Sequence, residues 1–352
     1  MASVVDLFCG IGGLTHGFVK EGFNVVAGID VDRSCKYAFE YNNKARFICK
    51  DIGKVTADEI AALYPAGDAR ILVGCAPCQP FSRYTNRSGE DGKWRLVARF
   101  ADLVAQVLPE VLSMENVPEL SKHKVFSDFV SVLNKAGYHV SHSIVDCVAY
   151  GIPQTRHRLV LFASLLGDIE IARATHPPSR RRTVRQKIGS LQRIGAGQAS
   201  ARDPIHRASS LSPLNLTRIR ATPPRGGWRD WPGDLRLKCH KAESGRSYPS
   251  VYGRIAWDDP GPTITTQCNG LGNGRFGHPE QDRALSIREA ALLQTFPKYY
   301  RLLRPGSALI MKTAARHIGN AVPVRLGRII ARSIRNHLQA HCSNATSARG
   351  GY

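Results

Sequence analysis

The sequence predicts an α/β protein: a doubly wound, largely parallel sheet followed by a smaller, irregular domain. Strand-like and helix-like segments alternate with short links through about residue 165, the signature of a sheet with helices on both faces. Residues able to do chemistry recur at the predicted strand ends, at Gly10, Asp30, Asp51, Cys78 and Glu115, where ligands bind in such folds. The pattern then fails after about residue 170, and the charge changes with it. Residues 1–165 hold 18 basic and 17 acidic side chains, whereas 166–352 hold 31 and 11.

The elements follow in order. Residues 4–8 read as a short buried strand, Cys9-Gly10-Ile11-Gly12-Gly13 as a turn, and 14–21 as a helix. A second strand covers 23–29, and Asp32 is placed to cap a helix over 33–42. Further strands are predicted at 46–49, 71–74, 111–114, 140–148 and 158–163, with helices at 56–64, 95–108 and 125–136. Helical patterning returns at 286–295 and 321–338. These segments divide the chain into a first part at 1–170, an irregular domain at 171–275, a segment at 276–340 that returns to the first part, and a tail at 341–352.

Lys and Arg number 49 against 28 Asp and Glu, a net +21 carried almost wholly by the second half. Such a field suits a long polyanion. Within 173–236 alone there are 14 basic and 3 acidic residues. Disorder is one reading of that stretch; Trp228, Trp231, Tyr248, Tyr252 and Trp257, which need a packed home, stand against it. No run of 18 apolar residues argues for a membrane span, and the first residues lack the pattern of a secretory leader. Nine cysteines at irregular spacing fit reduced thiols in a cytoplasm better than a disulfide framework.

Four stretches carry chemistry. In Asp6-Leu7-Phe8-Cys9-Gly10-Ile11-Gly12-Gly13 a strand ends, glycines turn the backbone and a helix begins; glycine lets a ligand approach the main chain closely. Asp30, about 20 residues beyond the glycines, is placed to accept from ribose hydroxyls. Asp51 is either a helix cap or a contact to an adenine edge. In Gly74-Cys75-Ala76-Pro77-Cys78-Gln79-Pro80-Phe81-Ser82 three readings compete. A zinc site lacks a second cysteine pair. A thioredoxin-type motif needs a helix that Pro80 disfavours. A single soft nucleophile, Cys78, remains as the third. Glu115, in Met114-Glu115-Asn116-Val117-Pro118, falls at the next strand end beside Cys78; a carboxyl buried there can donate a proton, and a surface loop cap is the plain alternative. In Gln154-Thr155-Arg156-His157-Arg158 alternate residues would share one strand face, so Gln154, Arg156 and Arg158 would point together, toward a base oxygen, a phosphate or merely solvent.

With R-A-L-S-I-R-E-A-A-L-L-Q-T-F-P at 283–297 and I-G-N-A-V-P at 318–323, these stretches occur in an order that resembles the DNA (cytosine-5)-methyltransferase family, of the bacterial restriction-modification type. The resemblance spans nearly the whole chain. It implies a Rossmann-like S-adenosylmethionine-dependent methyltransferase domain with a smaller target-recognition domain between about 165 and 280. Asp30 stands where Glu is commoner in the family, and Cys9 where a small residue such as Ala is common. Cys78, with Gln79 beside it, would add to C6 of a cytosine flipped out of the duplex. Glu115 would hold N3 and give it a proton, and Arg158, with Arg156 nearby, would support the base oxygen. Phe8, Gly10, Ile11, Gly12, Gly13 and Leu14 would cradle S-adenosyl-L-methionine. Asp30 would bind its ribose, Val31 would lie on the adenine, and Asp51 and Ile52 would read the adenine edge. Pro77 and, from the C-terminal side, Asn320, Ala321 and Val322 would complete that site. Ser82, Arg83, Arg225, Trp228, Arg229 and Arg254 are candidates for contact with double-stranded DNA; the loop at about 82–94 would close on the duplex from the side opposite 173–275. The resemblance further implies a cytoplasmic monomer acting at the nucleoid, with no metal and no membrane. A cognate restriction endonuclease would act on the same site without a stable complex. Two other readings are a tRNA cytosine-5 methyltransferase, disfavoured by the long Arg-rich region, and a catalytically silent DNA-binding protein, disfavoured by the full set of catalytic residue types.

Overall fold

The computed structural model describes residues 1–77 and 91–347. Cys78, Gln79, Ser82 and Arg83 lie outside the described residues. In chain order the elements are β1 (Ala2–Leu7), α1 (Gly13–Lys20), β2 (Asn24–Asp30), α2 (Lys36–Asn43), β3 (Arg46–Cys49), α3 (Ala57–Ala61), β4 (Ala69–Gly74), α4 (Asp91–Val107), β5 (Val111–Asn116), α5 (Lys124–Lys135), β6 (His139–Asp146), β7 (Gln154–Thr155) and β8 (His157–Ser164). They continue with α6 (Val184–Ile188), α7 (Pro213–Arg220), α8 (Lys238–Lys241), β9 (Gly261–Pro262), α9 (Ile287–Leu293), α10 (Met311–Asn320) and α11 (Val324–Ser347). Among the described residues no helix is long and apolar enough to cross a membrane.

The chain forms two compact units. The first comprises 1–146, 157–174 and 322–352. Its seven-stranded sheet has the order β3-β2-β1-β4-β5-β8-β6. The pairs from β3 to β5 are parallel, and β8 runs antiparallel to both β5 and β6. Strand order reverses between β1 and β4, the position where a doubly wound sheet opens a crevice beyond its carboxyl ends. The central strands are covered on both faces and so read as continuous apolar runs: Val4, Val5 and Leu7 in β1 and Ile71, Leu72 and Val73 in β4 are buried. One core extends from these strands to Phe100 of α4 and Phe129 of α5, whose rings meet edge to face at 5.7 Å.

The last helix belongs to this unit. α11 lies so close to α1 that a Cβ on Gly17 would come within 2.4 Å of the Gly327 carbonyl carbon; only glycine permits that approach. At the end of α1, Glu21 is buried and accepts ion pairs from Arg328 at 2.8 Å, Arg332 at 3.2 Å and Arg335 at 2.9 Å. Those three arginines recur at helical spacing, so one face of α11 meets one carboxylate.

The second unit comprises 147–156 and 175–321. Its elements are short, and its one strand pair joins two-residue β7 to β9. The stretch for which disorder was an alternative is folded: Trp228 and Trp231 are buried with Leu235, and the indole of Trp231 donates to Thr222 Oγ1 at 2.7 Å. This unit also reaches past the sequence-derived boundary at 275 and keeps 276–321, leaving the return to begin at Val322. The tie is polar. Gln294 Nε2 donates to the carbonyls of Ile318 and Ala321, and Gln154 Nε2 donates to that of Leu293.

A buried ion pair anchors the second unit. Arg283 donates through two guanidinium nitrogens to the two oxygens of Glu289, each at 2.7 Å. Glu289 also accepts from the backbone of Ser286, whose hydroxyl caps α9 in return. Burial pushes the Glu289 carboxyl up, but the Arg283 guanidinium outweighs it and holds the group below the usual range. Glu289→Ala leaves a buried guanidinium without its counter-charge, so a loss of about 3–5 kcal/mol is expected, read by urea unfolding of the variant against the parent. A loss below about 1 kcal/mol would mean that the pair is not an anchor.

Candidate active site

The carboxyl ends of β1, β2, β4, β5 and β3 present the candidate groups of the first unit. After β1 the backbone turns through three left-handed residues, Phe8 at φ 60°, Gly10 at 50° and Gly12 at 84°. Gly12 starts α1, and its amide donates to the Cys9 carbonyl at 2.8 Å. Nothing lies within 4 Å of where a Cβ on Gly10 would project, so the turn is open to close approach. Ile11 and Leu14 are buried in the core.

Asp30 ends β2 and organises this turn. Its Oδ2 accepts from the Gly10 amide at 2.8 Å and its Oδ1 from the Asp32 amide at 2.8 Å. A carboxylate has about four acceptor directions, so each oxygen retains one for a further donor. Next to it, Val31 is 69% exposed, an apolar surface at a strand end. Asp51 caps the turn after β3 by accepting from the Gly53 amide at 2.9 Å. Ile52 is buried.

Asp6 was not among the sequence candidates. It is buried, accepts from Thr15 Oγ1 at 2.5 Å, and its Oδ1 has no hydrogen-bond partner among the described residues. Burial pushes its carboxyl up to about 7, with the nearby Asp30 charge adding to the rise. The signal was a charged residue in an otherwise apolar strand just before the turn.

At the neighbouring edge, Glu115 lies within β5 and is 2% exposed. Arg158 of β8 places its Nε 3.0 Å from Glu115 Oε1, and the Cys75 thiol donates to Oε2 at 2.8 Å. The Asn116 amide donates to the Ala76 carbonyl at 3.1 Å, fixing the chain that leads through the exposed Pro77 toward Cys78. Antiparallel pairing of β5 with β8 brings Arg158 alongside, and parallel pairing of Gly74 with Met114 brings up Cys75. Oε1 itself has no hydrogen-bond partner among the described residues, and a buried carboxyl with a cation beside one oxygen and a thiol donating to the other can exchange a proton with a group that approaches it.

A family model described as C-5 cytosine-specific DNA methylase matches residues 2–336. The chain belongs to that family. Over 342 residues it is 56% identical to the type II methylase M.HgiDII of Herpetosiphon aurantiacus, covering 96% of each chain. It is 29% identical to the type II methyltransferase M.XorII of Xanthomonas oryzae pv. oryzae, over 95% of this chain and 85% of that one. Among solved structures, a DNA modification methyltransferase encoded within an Escherichia coli prophage matches with TM-score 0.75 at 19% identity, over 96% of this chain and all (100%) of that one. The S. pombe Dnmt2 methyltransferase matches with TM-score 0.60 at 18% identity, over 96% and 99%. Both structural likenesses bear on the fold alone, and the fold is that of the methylase domain.

Three expectations about this methylase need correction. Gln154, Arg156 and Arg158 do not share a strand face. β7 ends at Thr155, and the chain passes from the second unit to the first between Arg156 and His157. Arg156 is buried and donates to the Ile264 carbonyl at 3.1 Å, while Gln154 accepts from the Ile264 amide; both are struts of the second unit, and Arg158 alone meets Glu115. Trp228 is not displayed on the surface: it is buried, donates to the Tyr248 carbonyl at 3.0 Å and stacks on His240 at 4.3 Å. Arg254, also buried, spends its guanidinium on the carbonyls of Thr222, Ile219, His278 and Gln281 and on Asp282.

Arg225 and Arg229 are exposed. Arg225 pairs with Asp259, and Arg229 lies over the Trp228 ring at 5.6 Å. Arg225, Arg275, Ser250 and Asp259 border a cavity of about 350 Å³ within the second unit. Asn320 and Ala321 close the second unit, and Val322 opens the return to the first.

Proposed function

We propose that this methylase transfers a methyl group from S-adenosyl-L-methionine to C5 of a flipped-out cytosine in a specific duplex DNA sequence, as the modification enzyme of a type II restriction-modification system. Its substrate is then double-stranded DNA, its place the bacterial cytoplasm, and it acts as a monomer beside an endonuclease that shares the site without binding it. The observation that carries the chemistry is the Glu115 carboxyl, buried at the end of β5 between Arg158 and Cys75 and one strand from the segment leading to Cys78.

The residues at the ends of β1 to β3 fit such a cofactor. The open turn at Phe8–Gly13 admits close backbone approach, Asp30 retains acceptor capacity for ribose hydroxyls, and exposed Val31 offers a flat apolar surface to an adenine. Asp51 and Ile52 would face the adenine edge through the backbone, with Pro77 and Val322 bordering the site. When bound, the cofactor supplies an electrophilic methyl group on a sulfonium.

The chain supplies the rest. Cys78, as thiolate, adds to C6 of the cytosine, and Glu115 gives a proton to N3 as electron density moves into the ring. That makes C5 a nucleophile. Arg158 keeps the Glu115 carboxyl in place and offers positive charge beside the base oxygen. After C5 is methylated, loss of its proton to solvent expels the Cys78 thiolate, and N3 returns its proton to Glu115 as the aromatic ring is restored. These atoms are hidden in a stacked duplex, so the base must leave the helix first. The basic second unit, with Arg225 and Arg229 on its surface, anchors phosphates and reads bases.

The deciding experiment incubates the protein with labelled cofactor and either duplex DNA or tRNA. Bisulfite sequencing of DNA from cells expressing the protein accompanies it. Expected is label in DNA alone and protected cytosines in one recurring sequence. Label in tRNA alone, or no recurring site, would overturn the reading.

A further inference from the structure

The proposed chemistry gives Cys78 a task and leaves the other cysteine of Cys75-Ala76-Pro77-Cys78 without one. Cys75 directly follows β4, and its position is fixed from both sides. Its amide donates to the Leu7 carbonyl at 3.4 Å, and the next carbonyl, of Ala76, is held by Asn116. Half-buried itself, it turns its thiol onto the buried Glu115 carboxyl.

The two oxygens of that carboxyl have unequal partners. Arg158 Nε stands 3.0 Å from Oε1 as a countercharge, yet Oε1 has no hydrogen-bond partner among the described residues. The Cys75 thiol on Oε2 is a weak donor. The terminal torsion of a glutamate is soft, so the Cys75 hydrogen bond on Oε2, with the Arg158 charge beside Oε1, sets the carboxyl plane, and without that bond the plane is free to swing.

We propose that Cys75 is a positioning residue for Glu115: its thiol, hydrogen-bonded to Oε2, keeps the carboxyl plane aligned for the arriving base. Cys75 forms no bond to substrate and carries no nucleophilic role.

The inference rests on Glu115 as the proton donor of the proposed reaction. The test measures single-turnover methyl transfer at saturating duplex DNA, together with the DNA dissociation constant and the melting temperature, for Cys75→Ala, Cys75→Gly, Cys75→Ser and Glu115→Gln. Removing the donor, as Ala or Gly does, is expected to slow transfer about tenfold through lost alignment, with DNA affinity within about twofold. Ser keeps a small O–H donor and is expected to recover to within about threefold of the parent. The glycine variant carries the comparison should the alanine variant melt early. Parental rates in both Ala and Gly, or a Ser variant as slow as Ala, would overturn the positioning role. An active Glu115→Gln overturns the underlying reading instead, whereas an inactive Glu115→Gln beside an unimpaired Cys75→Ala overturns the Cys75 proposal alone.

Discussion

Cys78→Ser should lower methyl transfer by at least about a thousandfold, the scale on which removal of a nucleophile is felt in enzymes that use one, while binding of duplex DNA and cofactor stays within about twofold. The reason lies in the electrophile. C6 of cytosine is a weakly activated ring carbon, and at neutral pH a thiol is already a few per cent thiolate, about the best nucleophile a side chain offers. A serine hydroxyl is similar in shape but ionises far less, so the variant can bind and cannot add. The chain approaching this position is held by the Asn116 bond to the buried Ala76, so the loss should not come from a displaced backbone. Equilibrium binding to a labelled duplex and a single-turnover assay separate the two quantities. Turnover within about tenfold of the parent would remove Cys78 as the nucleophile.

Glu115→Gln is expected to reduce the single-turnover rate about a hundredfold to ten-thousandfold, the range associated with a lost general acid. The amide has the shape of the carboxyl, and its oxygen can still stand beside the Arg158 guanidinium, whose Nε lies 3.0 Å from Oε1. What it cannot do is give N3 a proton. Because the side chain is buried at the floor of the site, DNA affinity, which phosphate contacts dominate, should change by less than about threefold. A rate within about tenfold of the parent would show that N3 obtains its proton elsewhere.

Much of the first unit was legible in the sequence because its physics is local. Buried parallel strands declare themselves as apolar runs, and the turn after β1 needs residues tolerant of positive φ. The strand-end positions of Asp30, Asp51 and Glu115 follow from that regularity, since strand ends are where polar residues interrupt the pattern. The second unit was harder. Its core gathers scattered aliphatics and aromatics around the buried pair of Arg283 with Glu289, and outside α9 little periodicity announces it. Arg254 and Trp228 looked like surface readers in an Arg-rich stretch. A guanidinium or an indole has the same letter whether it braces four carbonyls or faces solvent, and only the fold shows which. Arg156 misled for another reason: β7 and β8 are nearly contiguous in sequence, and the strand alternation that should align Arg156 with Arg158 is broken where the chain crosses between units. Cys75 was visible as half of a cysteine pair, but its partner is a carboxyl on another strand, a relation that spacing cannot encode.

The seating of α11 on α1 has a consequence for how the protein comes into being. α1 rises from the glycine turn, and its outer face is finished by Gly327 and by three arginines beyond residue 327 that converge on Glu21. Until α11 has been synthesised that face stays bare and Glu21 stands in water without its three arginines. The support of the turn after β1 is therefore assembled late, by a segment more than three hundred residues downstream of it.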